Sequence, residues 1–75
     1  MKITFETPKE VVIVRELKQF INEVNVEEVT DNPDRKIVRA FTAEVGLLVL
    51  WEGDSYDAIG QWTDSDVITR INELL

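Results

Sequence analysis

The first residues of the chain alternate between apolar and polar side chains. In residues 1–6, Ile3 and Phe5 fall on one side, and Lys2, Thr4 and Glu6 fall on the other. A period of two is typical of a β-strand with one buried face. We therefore predict that the chain begins with a half-buried strand.

The next segment combines a helix start with a helical repeat. Thr7 is placed to cap free N–H groups, Pro8 suits the first helical position, and Glu10 stands three residues after the cap, as a capping box requires. An apolar stripe at helical spacing follows, formed by Ile13, Val14, Leu17, Phe20, Ile21 and Val24. These features predict a helix over residues 8–24.

A competing pattern lies in the same segment. The four residues from Val11 to Val14 are all β-branched, which alone would indicate a buried strand. The cap and the periodicity together favour the helix over this alternative.

The middle of the chain is predicted to form short strands. Residues 26–30 form a weak strand that ends in a polar loop at residues 30–34, because Pro33 cannot continue a ladder. Residues 35–42 alternate again, and a turn with Gly46 leads into residues 47–51, which are apolar throughout. A strand of that composition is expected to be covered on both faces, so we place it at the centre of the sheet.

Glycine marks the boundaries of the following element. Gly53 and Asp54 suit the tight turn of a β-hairpin. Residues 55–62 then return as another strand, in which Gly60 indicates a bulge.

The last element is a helix that begins at Thr63. The Thr63 hydroxyl can cap the first turn, and Asp64 and Asp66 lie at the positive end of the helix dipole. One apolar stripe follows, formed by Val67, Ile68, Ile71, Leu74 and Leu75. The assembled prediction is one α+β domain over residues 1–75, of order β-α-(β)-β-β-β-α, with two helices on one side of a mainly antiparallel sheet.

Composition limits the chemistry available to the chain. The sequence contains no His and no Cys, which excludes a Ser-His or Cys-His catalyst, a Cys/His zinc site and a disulfide. Eight basic and fifteen acidic residues give a net charge of -7, which disfavours direct binding to nucleic acid or to an anionic membrane. The first residues contain no apolar signal region, and we expect a cytoplasmic protein.

Aromatic and acidic side chains are concentrated between residues 51 and 66. The candidate interaction surface consists of Trp51, Glu52, Asp54, Tyr56, Asp57 and Trp62. Aromatic residues are enriched at interface hot spots, so an indole exposed on the predicted hairpin would anchor a protein partner. The alternative is that both indoles complete a small core and direct their N–H groups to its rim.

The carboxylates of this region have a second interpretation, as cation ligands or an acid/base pair. Their spacing matches no EF-hand loop. We expect turn, helix-start and solvated positions for them, and we predict no metal, cofactor or catalytic residue. The three basic residues after the polar loop are expected to balance nearby acids: Arg35, Lys36 and Arg39.

The function that these features favour is a small, acidic, non-enzymatic interaction domain that binds a protein partner or itself as a homo-oligomer. Two alternatives remain open. The acidic surface suits a DNA-mimic inhibitor of a nucleic-acid-binding protein, and the carboxylates suit a metal binder or a small enzyme. No motif identifies the partner.

Overall fold

Four antiparallel strands in one sheet are followed by two helices. The computed structural model describes residues 1–14 and 17–75, with side chains for residues 1–12 and 17–75. The elements are β1 (Lys2–Val14), β2 (Leu17–Asn32), β3 (Ile37–Thr42), β4 (Gly46–Glu52), α1 (Asp54–Ile59) and α2 (Asp64–Leu74). The order across the sheet is β1-β2-β3-β4. The predicted α+β class and the half-buried first strand are confirmed.

The predicted helix over residues 8–24 is wrong, because this segment forms the end of β1 and the first part of β2. The backbone register pairs Val12 with Lys18. β-branched side chains lose rotamer freedom in a helix and pack well on a pleated surface, so the run from Val11 follows its strand propensity once a partner strand is present. Residues 15 and 16 of the predicted helix lie outside the described residues.

The predicted helix start lies in an irregular part of the edge strand. The β1–β2 register shifts between Thr4 and Lys9, where β1 contains more residues than its partner. Pro8, which has no N–H to donate, is tolerated at such an interruption. Thr7 and Glu10 are exposed strand residues and do not form a capping box.

The strand predicted over residues 26–30 is confirmed as part of β2. It continues to Asn32 and ends directly before Pro33. The Arg35 N–H donates to Asn32 Oδ1 at 3.1 Å, and Lys36 adopts a φ of 54°, so the chain turns tightly into β3. The strand predicted over residues 35–42 is confirmed for Ile37–Thr42.

The apolar strand over residues 47–51 is confirmed, but its predicted central position is wrong. β4 lies at an edge of the sheet. Within β4, Leu50 and Trp51 are buried, whereas Leu47 and Val49 are exposed. The β3–β4 register shifts at this point, and a bulge allows two successive side chains to turn inward.

The predicted hairpin turn at Gly53 and the strand over residues 55–62 are also wrong, because residues 54–59 form α1. Gly53 precedes the helix and Gly60 follows it, each with a φ of 61°, which favours glycine. The Gly60 N–H donates to the Tyr56 carbonyl oxygen at 3.4 Å. Gly60 therefore ends a helix, as glycine commonly does, and does not mark a bulge.

The helix predicted from Thr63 is confirmed as α2. Thr63 Oγ1 accepts from the Asp66 N–H at 3.3 Å, and Asp66 Oδ2 accepts from the Thr63 N–H at 2.8 Å. These reciprocal bonds complete a capping box. Val67 and Ile71 are fully buried while Ile68 and Leu74 are exposed, so the buried stripe is narrower than predicted.

The core lies between the helices and one face of the sheet. Its largest fully buried side chains are Leu50, Ile71, Val24, Val38 and Val67. Burying each aliphatic side chain of this kind contributes about 1.5–3 kcal/mol. Within residues 1–14 and 17–75, neither helix combines the length and the apolar character that crossing a membrane requires.

Candidate functional site

The two tryptophans of the predicted interaction surface stack on each other. Their ring centroids lie 6.2 Å apart, with an interplanar angle of 30°. Trp51, near the end of β4, is 7% exposed, and Trp62, between α1 and α2, is half-buried. The stack therefore packs the connection between the two helices against the sheet.

Asp31, near the end of β2, accepts hydrogen bonds from two aromatic side chains. The Tyr56 hydroxyl donates to Asp31 Oδ1 at 2.7 Å, and Trp62 Nε1 donates to Asp31 Oδ2 at 3.0 Å. The bond to Asp31 favours the protonated phenol and raises the pKa of Tyr56 above its ordinary value of 10.0. One carboxylate thus holds α1 and the following connection against the sheet.

Sequence reasoning missed this role of Asp31, which it assigned to a polar loop. Tyr56 and Trp62 follow Asp31 by 25 and 31 positions. No local pattern relates residues at such separations. The detectable signal was the presence of two aromatic residues with polar tips, which need hydrogen-bond partners when they are partly buried.

The acidic residues of the predicted surface lie exposed at the end of β4 and on α1. Lys36 Nζ is 2.9 Å from Asp57 Oδ2, an exposed ion pair that contributes about 0–1 kcal/mol. Glu52 and Asp54 are exposed nearby. In the part of the chain that the structure describes, no group of three or more acidic side chains is arranged to hold a metal ion.

Two further charged groups have shifted pKa values. The Asn25 backbone N–H and side-chain amide each donate to the Glu44 carboxylate at 2.7 Å, which lowers the pKa of Glu44. Glu23 lies 2.9 Å from Lys2 Nζ, and their hydrogen bond raises the pKa of Lys2. The first contact joins β2 to the turn between β3 and β4, and the second joins β1 to β2, so both serve the fold.

Apolar side chains lie open on the sheet face opposite the core. Phe41, Leu47 and Val49, which we call the outer patch, are 38–49% exposed. The register places Phe41 opposite Leu47, and Arg39 opposite Val49, so these side chains share one face. On the other face of β3, Val38 is fully buried. The β3–β4 hairpin is therefore apolar on both faces, but only one face is covered.

A second group of exposed apolar side chains lies where β1 and β2 extend beyond β3. We call residues 9–12 and 17–21 the ribbon. Val12, Leu17 and Phe20 are 60–68% exposed. Their neighbours Val11 and Ile21 are buried. Because side chains alternate along a strand, Val12 and Phe20 lie on the face opposite Val11 and Ile21. They share that solvent-facing side with an ion pair, in which Lys18 Nζ lies 3.4 Å from Glu10 Oε1.

Two shallow recesses border α2. One is lined by Trp51, Ser55, Ala58, Ile59, Arg70 and Glu73, and the other by Thr4, Glu6, Thr7, Lys9 and Asn72. Arg70 Nε donates to the Leu50 carbonyl oxygen at 2.7 Å, and Lys9 Nζ donates to the Asn72 carbonyl oxygen at 3.2 Å. The cation of each recess is therefore already engaged in holding α2 to the sheet.

Comparisons with known proteins assign no function. No protein family, curated protein or solved structure matches this chain.

Proposed function

We propose that this chain is a non-enzymatic protein-interaction domain that binds through the open face of its sheet. The observation that carries the proposal is the outer patch, in which Phe41, Leu47 and Val49 are exposed side by side. Antiparallel sheets with one face in water normally place polar residues on that face. Clustered exposed apolar residues instead mark interaction sites.

The position of β4 at the sheet edge supports the same function. Edge strands present unpaired N–H and C=O groups, and proteins often protect them with charged residues or proline. From Gly46 to Leu50, β4 contains neither. Its edge and its outer face are therefore both suited to contact with another chain.

The outer patch differs from the surface predicted from the sequence. Trp51, Tyr56 and Trp62 make their contacts within the chain, through the indole stack and Asp31. Glu52, a residue of the predicted surface, lies beside the outer patch, because the register places it opposite Ile37 on the outer face. We therefore expect the largest losses of affinity from substitutions in β3 and β4.

A double variant tests the proposed surface. Leu47→Thr with Val49→Thr preserves strand propensity and removes most of the apolar contact. Ile68→Gln with Leu74→Gln is the matched control, because these α2 residues are similarly exposed. Partners captured by the wild type are purified and titrated directly, and self-association is measured alongside. The patch variant should bind at least about tenfold more weakly, and the control should bind like the wild type.

Two results would contradict the proposal. The first is equal binding by the patch variant and the wild type, to a purified partner and to the chain itself. The second is a partner that duplex DNA displaces, and whose binding weakens steeply with salt in the wild type and patch variant alike. That result would favour the DNA-mimic function.

A further inference from the structure

The helix α1 has few of the features that normally stabilise a helix. It contains six residues, and isolated helices shorter than about 12–15 residues are marginal in water. Gly53, which precedes it, provides no side-chain cap. Among the residues of α1, all of which the structure describes, none is buried, whereas α2 buries Val67 and Ile71 in the core. The stability of α1 therefore depends on its contacts with neighbouring elements.

Polar side chains of α1 connect it to the sheet and to the turn before β3. The Tyr56 hydroxyl donates to Asp31 Oδ1 at 2.7 Å, and Asp57 Oδ2 pairs with Lys36 Nζ at 2.9 Å. The second contact is an exposed ion pair, and such pairs contribute little to stability. A hydrogen bond to a charged acceptor contributes more. The bond from Tyr56 to Asp31 is therefore the stronger polar contact of α1, beside the partial packing of Tyr56 and Ile59 against the core.

A recess separates α1 from α2. Its lining combines residues of α1, β4 and α2: Ser55, Ala58, Ile59, Trp51, Arg70 and Glu73. Arg70 reaches across to the Leu50 carbonyl oxygen on β4, so α2 has its own connection to the sheet. Because of this recess, α1 can move without disturbing the face of α2 that lies in the core.

Glycine lies at both ends of α1. Gly53 and Gly60 each have a φ of 61°, and a Cβ added at either position would meet no atom within 4 Å. Glycine changes its backbone dihedral angles more readily than any other residue. Beyond Gly60, Trp62 donates to Asp31 and Thr63 caps α2, so the chain after α1 is held in place. The segment between the two glycines can therefore move while its flanks stay fixed.

We propose that α1 is a strap that opens as a unit on hinges at Gly53 and Gly60, and that the hydrogen bond from Tyr56 to Asp31 keeps it closed. Opening breaks this bond and moves α1 away from Trp51, while the sheet and α2 keep their packing. Trp51 and Tyr56, two residues of the surface predicted from the sequence, are then more exposed than in the closed state. The strap does not involve the outer patch and goes beyond the proposed function.

Amide hydrogen exchange in low concentrations of urea, followed by NMR, tests the strap. A local opening exposes little surface and depends weakly on urea, whereas unfolding of the domain depends on it steeply. The Asp57 and Gly60 amides donate to the Gly53 and Tyr56 carbonyl oxygens and report the opening of α1. Amides in the centre of β2 and β3 report unfolding of the domain. We expect a weak urea dependence for the two α1 amides and a strong one for the sheet.

A matched pair of variants separates the strap from the domain. Tyr56→Phe keeps the ring but removes the hydroxyl, and it should speed exchange of the Asp57 and Gly60 amides at least about fivefold. Ile71→Val removes a methyl group from a fully buried residue of α2 and destabilises the whole domain. It should speed exchange in the sheet but leave the α1 amides unchanged, because the open strap retains the packing of Ile71. Asp57→Asn removes the ion pair with Lys36 and should change exchange at Gly60 less than about twofold.

A third variant tests the hinge. Gly53→Ala strains the closed state, because a φ of 61° is unfavourable for alanine. The added Cβ meets no neighbouring atom, so the effect is confined to the backbone. Opening relieves this strain only if Gly53 changes its conformation. The Asp57 and Gly60 amides should then exchange at least about fivefold faster than in the wild type.

Four results would overturn the strap. If the two α1 amides have the urea dependence of the sheet, or exchange faster in Ile71→Val, α1 opens only with the whole domain. If they exchange at the rate of free amides in the wild type, there is no closed state. Unchanged exchange in Tyr56→Phe contradicts the role of the hydroxyl, and unchanged exchange in Gly53→Ala contradicts the hinge. Binding by the outer-patch variant is measured separately, so the strap and the proposed function stand or fail independently.

Discussion

Arg70 on α2 donates its Nε hydrogen to the backbone carbonyl oxygen of Leu50 on β4, at a distance of 2.7 Å. Leu50 stands where the β3–β4 register shifts. Arg70 also lies 3.8 Å from Glu73 on the same helix. The guanidinium therefore connects the second helix to the edge strand at its bulge.

This contact predicts different effects for the two neighbours of the guanidinium. Arg70→Met retains much of the apolar stem but removes the donor, and it should lower the free energy of unfolding by about 1–2 kcal/mol. Glu73→Gln removes only a long, exposed ion pair and should change it by less than about 0.5 kcal/mol. Urea unfolding of both variants measures the difference. Equal effects would mean that the hydrogen bond to Leu50 contributes nothing beyond the ion pair.

The aromatic cluster predicts that Asp31 stabilises the fold. Asp31→Ala removes the acceptor of the Trp62 indole and should lower the free energy of unfolding by about 1 kcal/mol. Asp34→Ala, in the exposed turn after β2, is the control and should have little effect. Urea denaturation followed by tryptophan fluorescence reports both stability and the environment of the indoles. Equal stabilities of the two variants would contradict a structural role for Asp31.

The titration of Tyr56 provides a direct readout of the same contact. It is the only tyrosine, and its pKa is raised above 10.0 by the hydrogen bond to Asp31. The bond therefore stabilises the fold at pH values below the ordinary tyrosine pKa. This contribution to stability is lost as the pH rises through the higher pKa of Tyr56 in the folded chain. Tyrosinate absorbance should show a midpoint above 10.0 in the wild type and a lower midpoint in Asp31→Ala. Identical midpoints would show that the bond does not persist in solution.

The helix caps predict a contrast between two threonines. Thr63→Ala removes the side-chain acceptor of the α2 capping box and should cost about 1 kcal/mol. Thr7→Ala alters an exposed residue of β1, outside any helix, and should change stability by less than about 0.5 kcal/mol. Thermal unfolding of both variants measures the contrast. A loss at Thr7 as large as at Thr63 would support a helix start at Thr7 instead.

Local patterns predicted the elements whose stabilising contacts are local. The capping box of α2 involves Thr63 and Asp66, three residues apart, and the end of β2 is determined by Pro33 directly after it. The segment over residues 8–24 was ambiguous because its apolar spacing fits a helix while its β-branched run fits a strand. Pairing with a neighbouring strand decided between them, and spacing within one segment does not describe that pairing.

In the candidate site, too, the sequence predicted some features and missed those that depend on distant residues. The sequence identified Trp51, Tyr56 and Trp62 as a group, and the structure places all three in one cluster. It did not identify Asp31 as the shared acceptor of Tyr56 and Trp62, because β3 and β4 separate Asp31 from both residues along the chain. The apolar composition of β4 was read as two covered faces, whereas one of those faces is the outer patch.

The sequence by itself determined the α+β class, the second helix with its cap, and the hairpin of β3 and β4. It also determined that the chain is acidic and contains no His and no Cys, the residues of common nucleophilic sites and zinc sites. Only the tertiary structure decided that β4 lies at an edge, that the first predicted helix is a ribbon, and that Phe41, Leu47 and Val49 face solvent. The physical reason is that caps, turns and strand propensity depend on neighbours in the chain. Strand order and the choice of covered face depend instead on which distant surfaces pack together. The hydrophobic effect that drives this packing is non-directional, so the pattern within one segment does not show which of its apolar side chains will be covered.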